Sequence, residues 1–336
     1  MKDIDYELGT EFARTGDYRK AIDHLLRSAE RLNFDAINDL GVIYERKKKY
    51  KDAYTYYVMA ATGGRKASLY NLGNAYENGY GTDIDNNAAL IYYRLSAEKG
   101  YALAYKKIAK FYTYGLGVEK DPKKALEYIK KGIKIEKKGK FEDTDCLDVL
   151  AYHYENGLGV KKNYKKALKL WRLSAKHGNY YSMLCIAYSY LNGEGVKKNV
   201  QLAVKMLIRL IAKKYEPAYY TLFTAYEKDE YGIKDLKQAG KILIDGADKG
   251  NENCLLRLAE LCLEGKEKEY DLNPIKQCTE KALVHFWSIV KGKEKEYEDE
   301  INEYNKIKEK FKDKIDWESV ENLEIPDEDE DEFEDC

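Results

Sequence analysis

Seven alanines recur along the chain at a nearly constant interval, and this register constrains the fold more than any other feature of the sequence. They are Ala21, Ala53, Ala89, Ala125, Ala167, Ala203 and Ala239. Successive members lie 32, 36, 36, 42, 36 and 36 residues apart. A repeat of this length is typical of stacked supersecondary units that bury their apolar faces against one another. The register therefore predicts a solenoid, in which Ala282 is a candidate eighth member.

Each unit is predicted to be a helix A, a turn and a helix B. In the unit from Ser68 to Gly100, Leu72 and Tyr76 lie on one apolar stripe of helix A. Gly73, between them, allows another helix to approach closely. The turn between the helices is G-x-G in four units, at Gly79/Gly81, Gly115/Gly117, Gly157/Gly159 and Gly193/Gly195. Such spacing predicts an essentially all-α chain.

These recurring residues resemble those of the Sel-one-like repeat family, a relative of the tetratricopeptide repeat with longer turns. Residues 146–178 and 180–210 match the family pattern of a Leu-Gly pair, a G-x-G-V turn and a Lys-Ala pair well, whereas the turns at Gly16-Asp17-Tyr18 and Lys48-Lys49-Tyr50 are shorter and tetratricopeptide-like. The resemblance covers residues 4–290 and implies a right-handed α-solenoid of about eight helix–turn–helix units, an α/α superhelix. The family is a general protein-interaction scaffold, so the resemblance is specific for fold rather than for partner.

The two ends of the repeat array differ in composition. We expect repeats over residues 1–292 and a C-terminal capping helix over 293–316, where Ile301, Tyr304, Ile307, Phe311 and Ile315 form one apolar stripe. Residues 317–336 are predicted to be a disordered acidic tail, with ten acids and no Lys or Arg from Glu321 onward. Without those ten charges the formal net charge changes from −1 to +9, so the rest of the chain is basic.

The step of 42 residues between Ala125 and Ala167 exceeds the usual 36. We expect the extra residues, within 133–145, to form a surface loop between two units. Such a loop is either a tolerated insertion or a contact for a partner.

Composition favours the cytoplasm. No stretch of 18 apolar residues occurs, and the first residues lack the apolar run of a signal peptide. The six cysteines are scattered without a CxxC motif, which favours reduced thiols. We therefore expect a cytoplasmic protein with no membrane partner.

No motif in the sequence carries catalytic chemistry. A dinucleotide-binding fingerprint needs a strand before its glycines, whereas here the G-x-G turns follow helices. The four histidines, His24, His153, His177 and His285, have no metal-ligand spacing. We therefore expect a non-enzyme with no catalytic, cofactor-binding or metal residues, and small molecules are disfavoured as ligands.

Pairs of lysines concentrate in the turns and at the start of helix B. They are Lys123/Lys124, Lys130/Lys131, Lys161/Lys162, Lys165/Lys166 and Lys197/Lys198. This ridge is a solvated edge, a surface for an acidic protein or the chain's own tail, or a nucleic-acid surface. Nucleic acid is disfavoured because arginine, the usual residue of bidentate phosphate and base recognition, is sparse there.

Aligning the A helices places a set of aromatic, amide and lysine side chains on the concave groove. These candidate partner-binding residues are Tyr70, Asn71, Asn74, Lys106, Lys110, Tyr152, Tyr188 and Tyr220. Aromatic anchors with amides suit an extended peptide. The alternative is that they are ordinary exposed helix positions. Tyr152 and Tyr188 lie one 36-residue repeat apart and are the preferred hot spot.

Three functions remain open from the sequence. The first is a non-catalytic scaffold or adaptor that binds a protein segment in the concave groove. The second is an inhibitor or immunity-type protein that neutralises one enzyme or toxin with help from the acidic tail. An RNA-binding helical repeat is third, because the slots show no two-residue base code.

Overall fold

The computed structural model describes residues 3–139, 144–266 and 268–272, and this part of the chain holds fifteen α-helices, one short 3-10 turn and no strand. The helices are α1 (Ile4–Thr15), α2 (Tyr18–Ala29), α3 (Phe34–Arg46), α4 (Tyr50–Thr62), α5 (Lys66–Asn78), α6 (Asn86–Glu98), α7 (Ala102–Tyr114), α8 (Pro122–Lys138), α9 (Asp145–Asn156), α10 (Tyr164–Lys176), α11 (Tyr180–Asn192), α12 (Val200–Ala212), α13 (Pro217–Glu227), α14 (Leu236–Asp248) and α15 (Glu252–Leu263). The all-α prediction is confirmed.

Consecutive helices pack against each other from α1 to α10 and again from α12 to α15. Several odd-numbered helices also contact the next odd-numbered helix, as α1 does α3, α3 does α5 and α7 does α9. The odd helices are therefore the A helices of the sequence pattern and lie side by side, while the even helices are the B helices. This arrangement is the helix-pair packing of a solenoid.

The chain divides into two compact units. The first comprises residues 1–182 with 194–196, and the second comprises 183–193 with the residues from Lys197 onward. The predicted boundary at residue 292, the capping helix and the acidic tail lie outside the described residues, as does Ala282.

The repeat alanines are core residues. All seven are at most 2% exposed. The glycines of the Leu-Gly pairs are equally constrained: a Cβ on Gly73 would lie 2.8 Å from the ring of Tyr93, and one on Gly41 would lie 2.6 Å from the ring of Tyr57. A side chain at either position would overlap the B helix of the same unit, which confirms the predicted close approach.

The B helices begin at a capping side chain. Six of the seven even-numbered helices have an Asp or Asn cap whose side chain accepts a backbone N–H of the first turn. In α8, Asp121 Oδ1 accepts from the Lys124 amide at 3.0 Å. The cap precedes the repeat alanine by four residues, so the same short segment sets both the helix start and the core contact.

The predicted insertion loop is wrong for residues 133–138, which are helical. Helix α8 has 17 residues, against 13 in α6 and α10, and it continues to Lys138. Ile129 is buried and Ile133 packs on the same core, so the apolar stripe extends the helix by about one turn. No glycine or proline lies between Gly132 and Gly139. Residues 140–143 lie outside the described residues.

Tyrosine pairs join helix A to helix B within successive units. Tyr44 stacks on Tyr56 with ring centroids 5.2 Å apart, Tyr76 on Tyr92 at 5.6 Å, and Tyr112 on Tyr128 at 5.5 Å. The first member of each pair is the aromatic that follows the Leu-Gly slot. Much of the high tyrosine content thus serves packing between helices, where offset ring contacts add to burial.

Candidate functional site on the odd-numbered helices

A pocket of about 450 Å³ opens within the first unit, between α7, α9 and the start of α11. Helix α7 contributes Lys106, Lys110, Thr113 and Tyr114. Helix α9 contributes Asp145, Asp148, Val149, Tyr152 and His153, and the remaining wall is Asn179 and Tyr181. We call this the α9 pocket, because α9 supplies most of its lining. Its volume is in the range of sites that take a side chain or a small ligand.

The floor of the α9 pocket is polar and buried. His153 is 1% exposed, and its Nδ1 lies 2.9 Å from the carbonyl oxygen of Leu158. Because a carbonyl only accepts, Nδ1 carries the proton and Nε2 is left as an acceptor. Nε2 lies 3.2 Å from Thr113 Oγ1. Burial lowers the pKa of His153, so the neutral imidazole is favoured.

Asp148 is the second buried polar group of the floor, at 9% exposed. Its Oδ1 accepts from Ser182 Oγ and its Oδ2 accepts from Asn179 Nδ2, both at 2.6 Å. Burial raises the pKa of Asp148, and the hydrogen bonds from serine act in the opposite direction. Within the described residues no Lys, Arg or His forms an ion pair with this carboxyl group.

Three tyrosines form the rim of the pocket. Tyr114, Tyr152 and Tyr181 all rank among the exposed large side chains of the described part. A hydrogen bond with Tyr152 raises the pKa of Tyr114 to about 12. Tyr181 meets Trp171 edge to face, with ring centroids 5.6 Å apart. The rim therefore offers aromatic surface that is partly held in place by its neighbours.

Both lysines of the pocket are paired. Lys106 Nζ forms an ion pair with Asp145. Lys110 Nζ lies 2.9 Å from the carboxylate of Glu77, which also receives Lys107 at 2.8 Å and the hydroxyl of Tyr93. Burial would raise the pKa of Glu77, but the lysines and Tyr93 outweigh it, so the pKa is lowered. The positive charges at the rim thus have carboxylate partners.

The structure brings three of the eight predicted groove residues together, namely Lys106, Lys110 and Tyr152. The three candidates on α5 lie outside the pocket and are occupied by contacts within the protein. Tyr70 packs on Tyr93 and Tyr101, and Asn74 Oδ1 accepts from the hydroxyl of Tyr93 at 2.7 Å. Asn71 Nδ2 donates to Asn38 Oδ1 at 2.9 Å.

The last two predicted groove residues belong to the second unit. Tyr188 is 49% exposed. Tyr220 is half-buried against the core of that unit and lies 5.8 Å from the ring of Phe223. Exposure alone thus makes Tyr188 the better candidate of the two for contact with a partner.

Sequence reasoning missed the pocket floor, although a signal for it exists. Five residues after the Leu of the Leu-Gly pair, α3 and α5 carry Glu45 and Glu77, which accept the hydroxyls of Tyr57 and Tyr93. In α7 the same slot holds Thr113. The B helix there has Ile129 in place of the tyrosine, so His153 from the next unit supplies the polar contact. In this unit a contact between neighbouring repeats thus replaces the Glu–Tyr contact of the two preceding units.

Half of the predicted lysine ridge is held over tyrosine rings. The ammonium groups lie 4.6–5.2 Å from the ring centroids in the pairs Lys124–Tyr112, Lys131–Tyr128, Lys162–Tyr164, Lys166–Tyr154 and Lys198–Tyr231. Such cation–π contacts are worth about 0.5–1 kcal/mol at exposed sites. Burial would raise the pKa of Tyr112, yet hydrogen bonds from Lys124 and Arg94 outweigh it and lower the pKa.

The described residues offer neither a metal site nor a membrane-spanning helix. They contain no group of three or more His, Cys, Asp or Glu placed to hold a metal ion. Among the same residues, no helix is long and apolar enough to cross a membrane.

The repeat pattern matches a known family model, that of the Sel1 repeat, at residues 6–31, 66–101, 102–134, 145–179 and 181–215. The chain carries five Sel1 repeats. They correspond to the helix pairs α1–α2, α5–α6, α7–α8, α9–α10 and α11–α12. The resemblance drawn from the sequence is thereby confirmed, and the α9 pocket is built from three consecutive matched repeats.

Solved structures with Sel1 repeats share the fold. A Sel1 repeat protein from Oxalobacter formigenes is 25% identical with a TM-score of 0.57, covering 72% of this chain and 95% of that one. A protective antigen of uropathogenic Escherichia coli strains that displays an SLR fold is 25% identical with a TM-score of 0.55, covering 84% of this chain and 60% of its own. A search of curated proteins found no match to the sequence.

Proposed function

We propose that this chain is a non-catalytic scaffold or adaptor that binds a segment of a partner protein on its odd-numbered helices. The observation that carries the proposal is the α9 pocket, where three exposed tyrosines surround a buried polar floor. Concave sites with aromatic walls and a few fixed polar groups are the usual form of binding sites. Sel1 repeat proteins generally serve as protein-interaction scaffolds, which agrees with this use.

The tyrosines are suited to be anchors for a partner. Tyr152 is 37% exposed, so a partner can remove a large area of its ring from water. Tyrosine is enriched among the few residues that dominate binding energy at interfaces, each costing about 2 kcal/mol or more on truncation. The pocket supports an anchored segment rather than a flat contact.

Two further features belong to the proposal. We place the protein in the cytoplasm, because its six cysteines are scattered without paired spacing. We assign it no reaction of its own, because Sel1 repeat proteins are generally non-catalytic.

Affinity capture from the native host tests the proposal. The full chain should retain one reproducible partner, and Tyr152→Ala should lose it while keeping its helical circular dichroism. The matched control is Ile91→Ala, which removes an exposed apolar side chain from the even-numbered helix α6. Equal capture by the wild type and Tyr152→Ala would contradict the proposal.

The inhibitor alternative differs in its salt dependence. Binding in an aromatic pocket should lose little affinity when salt is added. Binding of a polyanionic tail to a basic enzyme should lose affinity steeply. A salt titration of the captured complex therefore separates the two functions. RNA binding would follow the steep dependence as well and would be abolished by ribonuclease treatment of the sample.

A further inference from the structure

Among the described residues, no cation forms an ion pair with the buried carboxyl group of Asp148. It is 9% exposed, and both of its oxygens accept hydrogen bonds, as a carboxylate does. Buried charges in proteins are normally paired, since removal from water is costly. Lys106, whose charge reaches Asp148, is already bonded to Asp145. One half of an ion pair is thus present in the α9 pocket.

The other buried group of the floor is also an acceptor. His153 Nε2 is an acceptor, because Nδ1 donates to the carbonyl of Leu158. The hydroxyl of Thr113 has one proton, and it lies closer to the Ala109 carbonyl, at 2.8 Å, than to Nε2, at 3.2 Å. The floor therefore presents acceptors, and a ligand that fits it must donate.

The rim of the pocket favours a positively charged donor over an anion. Tyr114, Tyr152 and Tyr181 line the pocket with partly exposed aromatic side chains. A cation near an aromatic face is attracted by the ring, an effect that proteins use to bind ammonium groups. An anion would instead meet Asp145 and Asp148, with Glu77 beyond Lys110. The lysines at the rim do not reverse this preference, because each already has a carboxylate partner.

We propose that the α9 pocket takes a single basic side chain, a lysine or an arginine, of the partner segment, with its cationic head against Asp148 and its stem among the rim tyrosines. Long basic side chains suit this geometry because their methylene stems pack on apolar surface while the head reaches a charge. This inference rests on the proposed function and adds the chemistry of the anchor.

Capped five-residue peptides test the inference on the full chain. Four peptides share flanking glycines and differ in the central residue, which is arginine, lysine, norleucine or glutamate. Binding is followed by NMR through the imidazole nitrogens of His153 and the ring carbons of the tyrosines. We expect the arginine and lysine peptides to move these signals with affinities about tenfold or more above norleucine, which has the stem without the charge.

Variants of the full chain provide the second readout. Asp148→Asn keeps the size of the side chain and removes its charge, so it should abolish the preference for the basic peptides over norleucine. The matched control is Asp39→Asn on α3, which neutralises another desolvated acid outside the pocket and should leave the preference intact. Tyr181→Ala should also weaken binding of the basic peptides. This variant tests the inference even if Asp148→Asn disturbs the fold.

The outcomes distinguish the inference from the proposed function. If norleucine or glutamate peptides bind as tightly as the basic ones, or if Asp148→Asn keeps the preference, the inference is wrong. Partner capture that depends on Tyr152 would still stand in that case. Loss of that dependence would contradict the proposed function, whatever the peptides do.

Discussion

His153 Nε2 lies 3.2 Å from Thr113 Oγ1 and links α9 to α7 at the floor of the α9 pocket. The imidazole donates from Nδ1 to the Leu158 carbonyl, which lies in the turn that follows α9. One side chain thus ties two neighbouring A helices and a G-x-G-V turn together. Because burial lowers the pKa of His153, this link depends on the neutral ring.

His153 should make the protein less stable as the pH decreases below 6.5. The pKa of His153 is lowered in the folded state below its ordinary value of 6.5, so the unfolded chain binds the proton more readily. The contribution of the neutral ring is present above pH 6.5 and is lost as the pH decreases below it. Urea denaturation at several pH values in this range should show that the free energy of unfolding depends less on pH for His153→Gln than for the wild type. His177→Gln, at the exposed end of α10, should retain the wild-type slope.

Gly73→Ala should destabilise the first unit. The new Cβ would lie 2.8 Å from the ring of Tyr93, and overpacking of this kind costs about 1–3 kcal/mol. Gly139→Ala is the control, because its Cβ would find no atom closer than 3.6 Å and its φ is −79°. Chemical denaturation monitored by circular dichroism measures both. Equal stability of the two variants would refute the close-approach explanation.

Tyr93→Phe removes a hydroxyl that donates to both Glu77 and Asn74. Loss of hydrogen bonds to a buried charged acceptor should lower the free energy of unfolding by about 1.5–3 kcal/mol. Tyr18→Phe is the matched change at an exposed hydroxyl, which only accepts from Arg46 at 3.3 Å, and it should have little effect. Thermal denaturation of both variants decides the point.

Tyr152→Ala and Tyr188→Ala should each weaken binding of the captured partner. Both rings are exposed, so truncation should cost about 2 kcal/mol of binding free energy if they are anchors. Their free energies of unfolding should change little, since both side chains are exposed. Isothermal titration calorimetry measures the binding free energy of each variant. Parallel loss of helicity and binding would identify them as packing residues instead.

Deletion of residues 321–336 should raise binding to heparin at low salt. It removes ten carboxylates and leaves a chain of formal charge +9, whose lysines include those held over tyrosine rings. The effect should fade with salt, because the Debye length falls from about 30 Å at 0.01 M to about 8 Å at 0.15 M. Heparin chromatography at two salt concentrations measures it. Unchanged elution would show that the tail does not screen the ridge.

The sequence by itself determined the repeats. A buried alanine and a glycine pressed against the next helix tolerate almost no substitution, and an N-cap has few alternatives, so these positions recur visibly at a fixed interval. Ala89 and Gly73 were therefore predicted from the sequence as positions of close packing, and both are confirmed. The same local rules underlie the match to the Sel1 repeat.

The α9 pocket could not be predicted from the sequence, because it is formed by tertiary structure alone. Thr113, Asp148 and Tyr181 come from three repeats and meet only when those repeats stack. Hydrogen-bond partners such as Asn179 and Asp148 have no common sequence spacing, and ion pairs such as that of Lys110 with Glu77 depend on which rotamers the stacked helices permit. The length of α8 was misjudged for a related reason: whether extra residues extend a helix or leave it as a loop depends on the core against which they can pack. Periodicity reports what every repeat shares, whereas a binding site consists of the positions at which one repeat differs from the others.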